Sequence, residues 1–283
     1  MMSVLSFVWG ACIGSFLNVC IYRIPKEGLS IVAPRSYCPS CNKTIPWYLN
    51  IPLVSWLMLR GRCRFCRARI SPRYILVELL TAILFLLAWL KWSACTCCPR
   101  PLGLAAVLDG KLVPMYWLVI WGLVLGTFVD FDEMIIPDRV TLGGIIAGFI
   151  CSALAPSLHG QDTWLKGLMF ASLGMAIGWG LLWSMGAIGK LILKKDAMGF
   201  GDVKLMGAVG AFFGWRAVLF VIFVSSLTGS IVGIALVLAK RKEMQGKIPY
   251  GPYIALATLI WLFWGPTLWN MYVDLLTPPA PYL

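Results

Sequence analysis

Charge is scarce in this chain. Only 13% of its 283 residues are Asp, Glu, Lys or Arg, and just 12 are acidic. A soluble domain of this length cannot cover its surface with so few charges. Histidine occurs once, at His159 in an expected outer loop, which gives little support to a histidine-based zinc protease or a Ser-His hydrolase. No Gly-rich strand-to-helix loop marks a nucleotide-type fold, and no sequence repeat is visible. A basic n-region ahead of the first apolar run is also missing, so that run reads as a retained span and not as a cleaved signal peptide.

Apolar residues are what the chain has in quantity. They make up 60% of it, and mean hydropathy is +0.83. That is the composition of a polytopic membrane protein. A spanning helix needs roughly 20 mostly apolar residues. Runs of this kind fall at about 2–22, 74–91, 113–129, 140–156, 168–189, 203–215, 217–239 and 249–265. The expected fold is therefore all-α and polytopic, with about eight transmembrane helices. Membrane lipid is the implied surrounding. The sequence carries no signal for oligomeric state.

The net charge of +12 reads as orientation and not as nucleic-acid binding. Loop 23–73 carries ten basic residues, from Arg23 to Arg73. Lys190, Lys194, Lys195, Lys204, Lys240, Arg241, Lys242, Lys247 and Arg139 fall on the same side of an eight-span plan. The other side holds only Lys91, Arg100, Lys111, Lys166 and Arg216. The basic loops should face the cytoplasm, with both termini outside. The chain then divides into a first helix (1–22), a cytoplasmic loop domain (23–73) and further helices (74–129) with an outer loop at 92–112. A helical core (130–265) follows, with an outer tail at 266–283.

The cysteines are patterned. Cys38-Pro39-Ser40-Cys41 and Cys63-Arg64-Phe65-Cys66 are two C-x2-C pairs separated by 21 residues. This spacing points to a four-thiolate zinc site; redox pairs and unligated thiols are the alternatives. A reducing cytoplasm disfavours disulfides, and Arg62, Arg64 and Arg67 favour thiolates. Four ligands leave no open position, so such a zinc is structural. It would staple a loop too small to hold its own core. Cys12, Cys20 and Cys151 lie in apolar spans and read as small core residues. Cys95, Cys97 and Cys98 face the oxidising side, where a disulfide can form without the sequence setting which.

With so few acids, their placement is informative. Asp130, Asp132, Glu133 and Asp138 crowd into VDFDEMIIPD, where Pro137 suggests a turn between two spans. Asp202 closes Gly199-Phe200-Gly201-Asp202 and begins the sixth span. The topology puts Asp130 and Asp202 on the same membrane face. Ionisable groups at membrane depth are expensive and suggest function. Two neighbouring carboxyls that share a proton can act as base and acid in peptide hydrolysis. A proton relay in a transporter needs the same residues, and placement alone does not separate the two. A calcium loop is excluded, because Ile135 and Thr141 stand where Gly and Glu are required. The sixth span, 203–215, is only about 20 Å long at 1.5 Å per residue. Asp202 is therefore expected in a recess. Gly207, Gly210 and Gly214 would let neighbouring helices pack tightly against this span.

An ordered set of motifs then separates the readings. It comprises Gly14-Ser15-Phe16-Leu17-Asn18-Val19 with Tyr22-Arg23, both Cys pairs, Asn50 to Trp56, Arg73-Tyr74 with Glu78, Asp130 to Asp138, and GFGDVK. In this order the chain resembles the bacterial type IV prepilin peptidases (leader peptidase/N-methyltransferases), within the wider GxGD intramembrane aspartyl proteases. The resemblance implies cleavage of the basic leader of prepilins or pseudopilins after glycine at the cytoplasmic face. It also implies, for many members, methylation of the new N-terminal amine with S-adenosylmethionine. By motif match Asp130 and Asp202 carry proteolysis, while Asp132 and Asp138 match without an evident chemical role. No residue is assigned to S-adenosylmethionine. Glu78 suits either a base or ligand contact or a structural anchor.

Overall fold

The computed structural model describes residues 1–26, 28–33, 35–93, 112–194, 198–239 and 249–276. Cys95, Cys97, Cys98, the loop at 240–247 and the end of the tail lie outside the described residues. Among those described, every named element is helical, and the only pairing of extended chain is two isolated antiparallel bridges. The helices divide into two compact units, Met1–Glu133 and Met134–Leu283.

The first unit holds α1 (Met2–Arg23), the short α2 (Val54–Met58), α3 (Pro72–Trp92) and α4 (Leu112–Glu133). Small residues set how α1 meets α3. A methyl group at Gly10 would lie 2.8 Å from the Ala82 Cα, and one at Gly14 would lie 2.6 Å from the Glu78 Cα. This is a small-xxx-small seam between antiparallel helices, where backbone approach replaces side-chain interdigitation. Asn18 extends the seam by donating to the Tyr74 carbonyl at 3.0 Å. α3 starts where Pro72 fixes the first turn and the Ser71 hydroxyl caps the Arg73 N–H. α4 joins α3 through Trp117, which stacks on Phe85 at 5.1 Å and donates to the Phe85 carbonyl.

The second unit holds α5 (Asp138–Leu154), α6 (Trp164–Leu193), α7 (Phe200–Leu238) and α8 (Gly251–Leu276). α6 and α7 touch backbone to backbone: a methyl group at Gly210 would stand 2.1 Å from the Gly174 carbonyl oxygen, and one at Gly174 2.2 Å from that of Gly210. α7 is interrupted at Gly214, whose φ of 76° and ψ of −179° no L-residue adopts comfortably. Beside the break, Ser152 of α5 reaches the Ala211 carbonyl and the His159 ring. Farther along, the Tyr250 hydroxyl bridges Ser225 and Ser226 of α7 at 2.7 and 3.2 Å.

Six of these helices (α1, α3, α4, α6, α7 and α8) are long and apolar enough to cross a membrane, which makes this a multi-pass membrane protein. The expected count of eight is not reached by length and composition. α5 has only 17 residues. The runs at 203–215 and 217–239 lie in one 39-residue helix interrupted at Gly214. The apolar run at 249–265 also does not end where a tail was expected: α8 continues through Pro266 to Leu276. His159 lies between α5 and α6, where its Nε2 is 2.8 Å from the Ser152 hydroxyl.

Candidate active site

The acidic segment is more helical than its proline suggests. α4 runs on through Glu133, so Asp130 and Asp132 sit in its last turn, and only 134–137 break the chain before α5. Arg73 holds that last turn. One guanidinium nitrogen meets the Asp132 carboxylate at 2.5 Å, and the other donates to the Phe128 carbonyl at 2.9 Å. The guanidinium also lies over the Phe128 ring, 5.1 Å from its centre. A cation near a helix C-terminus opposes the dipole. Arg73 therefore grips the residues two before and two after Asp130. Its sequence signal was only its place beside Tyr74.

Asp202 lies in the first turn of α7, its N–H bonded to the Gly199 carbonyl at 3.1 Å. The two preceding glycines have concrete reasons. A methyl group at Gly199 would stand 3.1 Å from the Asp202 carboxylate, and one at Gly201 3.2 Å from the Ile136 Cβ. They make room for the catalytic-candidate carboxylate and for the turn at 134–137. Gly199 itself has an ordinary φ of −70°. Asp138 begins α5 without capping it and instead accepts from Lys204 at 2.6 Å. That pair ties the first turn of α5 to the second turn of α7, just past Asp202. Asp132 and Asp138 thus act through their partners, each steadying the turn that carries another acid.

Burial sorts the carboxylates. Among the described residues the buried ones are Asp130 (5% exposed), Asp202 (8%) and Glu78 (9%). Asp130 belongs to the first unit and Asp202 to the second. Glu78, on α3, accepts the Leu53 N–H at 2.7 Å. Leu53 has a φ of 62°, costly for a branched side chain, and this bond helps to hold it.

The four cysteines of the two pairs come together. The sulfurs of Cys38, Cys41, Cys63 and Cys66 all lie within 4.8 Å of one another, and those of Cys38 and Cys66 are 3.8 Å apart. Metal–sulfur bonds of about 2.3 Å in a tetrahedron put sulfurs about 3.8 Å apart. The cluster can hold a structural metal ion. Its frame is a duplicated turn that the sequence does not announce. The Cys38 N–H bonds the Lys43 carbonyl, and the Asn42 N–H returns to the Cys38 carbonyl; Cys63, Ala68 and Arg67 repeat both bonds. Asn42 and Arg67 share a positive φ, and the bridges Tyr37–Thr44 and Arg62–Arg69 close the two turns alike. Burial works against ionising Cys38, yet the Ser40 and Cys41 N–H groups and neighbouring thiols draw it down to about 7. Cys66 receives the Ala68 N–H, but burial and its hydrogen bonds with the other three thiols push it up to about 11. The thiols therefore resist ionising together unless a cation joins them.

Two family models match the chain. Residues 8–92 match the bacterial peptidase A24 N-terminal domain, and residues 117–234 match the type IV leader peptidase family. The second match includes both Asp130 and Asp202. The chain is 38% identical to a prepilin leader peptidase/N-methyltransferase of Aeromonas salmonicida (strain A449), over 95% of this chain and 93% of that protein. A protein of the same name from Myxococcus xanthus (strain DK1622) is 41% identical over 99% of this chain and 79% of its own length. The one from Pseudomonas aeruginosa is 34% identical, covering 94% and 91%. No solved structure matches the chain. On these similarities, the chain belongs to the prepilin leader peptidase/N-methyltransferase family.

Proposed function

We propose that this protein cleaves the leader of prepilins or pseudopilins after glycine at the cytoplasmic face of the inner membrane, and then methylates the exposed N-terminal amine. Asp130 and Asp202 are the catalytic pair. The observation that carries this assignment is burial. Two of the three buried carboxylates among the described residues are the two acids that the family motifs single out.

Each step has a role for a residue. One carboxylate is ionised and takes a proton from a water molecule. The water oxygen then bonds to the scissile carbonyl carbon as the other, protonated carboxyl gives its proton to the carbonyl oxygen. Collapse of the tetrahedral adduct breaks the C–N bond: the second carboxylate takes back a hydroxyl proton as the carbonyl reforms, and the departing nitrogen takes the proton held by the first carboxylate. A low-dielectric setting strengthens the coupling that lets two acids share one proton. The Arg73 and Lys204 pairs fix the backbone turns from which the two carboxylates project.

The cysteine cluster takes zinc, in a structural role. S-adenosylmethionine, when bound, would supply an electrophilic methyl group on a positively charged sulfur for the neutral N-terminal amine.

The test is a purified-protein assay with a prepilin peptide and S-adenosylmethionine carrying a labelled methyl group. Asp130→Asn and Asp202→Asn should each cut cleavage by about 10²–10⁴-fold. Robust cleavage by either variant would remove the pair. A cleaved product that gains no label in the wild-type reaction would remove the second activity.

A further inference from the structure

Between the inner ends of α1 and α3 and the cysteine module lies a cavity of about 480 Å³, a size common among small-molecule sites. It lies wholly within the first compact unit. Ser15, Asn18, Ser55, Trp56, Tyr74 and Glu78 are in its wall.

Its polar groups are few and incompletely matched. Glu78 is buried, and its partners are the Leu53 N–H and the Ser15 hydroxyl, neither of them charged. A carboxylate at such depth favours a cation beside it. Ser55 is 8% exposed. Its hydroxyl and the Trp56 indole N–H are buried without a hydrogen-bond partner. Such groups are normally paired, and each one left over asks for an explanation. Here both belong to residues that wall one cavity, together with a buried anion. Tyr37, Phe65 and Tyr74 add flat apolar faces.

The complementary ligand carries a positive charge for Glu78, oxygen acceptors for two donors, and a flat ring for aromatic walls. We infer that this cavity is the methyl-donor site and takes S-adenosylmethionine, with Glu78 facing its positive charge and Ser55 and Trp56 donating to its oxygens. The inference rests on the methyltransferase function proposed above. It gives the cysteine cluster a purpose, since Cys38 and Cys63 stand in the same wall and a metal there would keep the wall in shape. It also gives the strained Leu53 a reason, because Leu53 delivers its N–H to Glu78 and leads into the Ser55-Trp56 turn of α2.

The deciding measurement is equilibrium binding of labelled S-adenosylmethionine to the full-length, metal-loaded protein in detergent, with S-adenosylhomocysteine as the uncharged-sulfur comparison. Glu78→Gln keeps an acceptor for the Leu53 N–H but removes the charge. It should weaken S-adenosylmethionine by about tenfold or more and S-adenosylhomocysteine clearly less. Trp56→Phe removes one donor and should weaken both ligands alike. Metal content and thermal midpoint, measured on each variant, identify a protein that has lost its fold. Wild-type affinity for S-adenosylmethionine in both folded variants would overturn the site, as would equal losses for the two ligands in Glu78→Gln. Competition by a free peptide amine with no binding of the sulfonium ligand would overturn it in favour of an acceptor-amine pocket. If wild-type protein neither binds the donor nor labels cleaved product, the methyltransferase function itself fails. If wild type does both and the variants bind normally, only the cavity assignment fails.

Discussion

Gly210→Ala tests whether the second unit is built on backbone contact. The added methyl carbon would stand 2.1 Å from the Gly174 carbonyl oxygen and 2.4 Å from its carbon. Ordinary contact begins near 3.4 Å, so α6 and α7 must part by roughly 1.3 Å along this seam, and neither obstructing atom can rotate away. Overpacking of a close-packed interior costs about 1–3 kcal/mol, and rigid backbone puts this site at the upper end. Alanine regains about 1 kcal/mol over glycine in helix propensity. The net loss is about 2 kcal/mol, or a Tm lower by about 4–8 °C. Gly180→Ala on α6 is the matched control. Nothing lies within 4 Å of a methyl group there, so propensity alone acts and Tm should hold or rise. Thermal unfolding in detergent reads both. Gly210 is two turns beyond Asp202 on the same helix, about 12 Å along its axis, so peptide cleavage should fall with the Tm. Equal midpoints for the two variants would refute the seam.

Other expectations follow from the site. Arg73→Lys keeps a charge but loses the two-pronged grip on Asp132 and Phe128; kcat for cleavage should drop with little change in KM, and wild-type kcat would show that Arg73 does not position Asp130. Metal analysis should find one zinc per chain, lost in Cys63→Ser together with several degrees of Tm. Burial in the loop between α5 and α6 pulls the His159 imidazole down to about 4 from an ordinary 6.5. The unfolded chain then binds more protons between those values, so stability should decline as pH falls from about 6.5 towards 4. His159→Gln should flatten that decline. The first segment of α7, residues 200–213, is about 21 Å long against a hydrocarbon core of about 30 Å. A cysteine at position 202 should therefore react with impermeant reagents more slowly than one in a surface loop, and equal rates would place Asp202 at the surface.

Much of this was legible in the sequence, for identifiable reasons. Long apolar runs report membrane helices directly, because lipid offers no other way to satisfy a backbone. The C-x2-C pairs announced a cluster because metal ligation needs that local spacing. What was hidden depends on contacts between distant segments. Pro137 promised a turn from Asp130 onward, but Arg73, far away in the chain, holds α4 helical through Glu133. The glycines before Asp202 make room for Asp202 itself and for Ile136, a contact made from another segment. Beyond the cysteines themselves, the duplicated turn left only a faint mark, an Ile four residues after each second Cys (Ile45 and Ile70), because its other bonded positions differ between the copies. Gly214 gave no hint that two expected spans share one interrupted helix, because one glycine inside an apolar run has many possible uses.

The seam between α1 and α3 has a consequence for the segment inserted between them. Gly10 and Gly14 bring the two helices into backbone contact, and Asn18 ties them again nearer the ends that carry the insertion. The chain therefore leaves at Arg23 and returns at Pro72 through a neck closed by the membrane helices. The seam itself meets the entropy of bringing those ends together, without drawing on the cysteines. Once a neck is closed, doubling the length of the loop it carries adds only about 0.6 kcal/mol. The insertion can be lengthened at its exposed turn near Gly28, where nothing lies within 4 Å of a methyl group, so long as the Arg23 bond to the Ser30 carbonyl is kept.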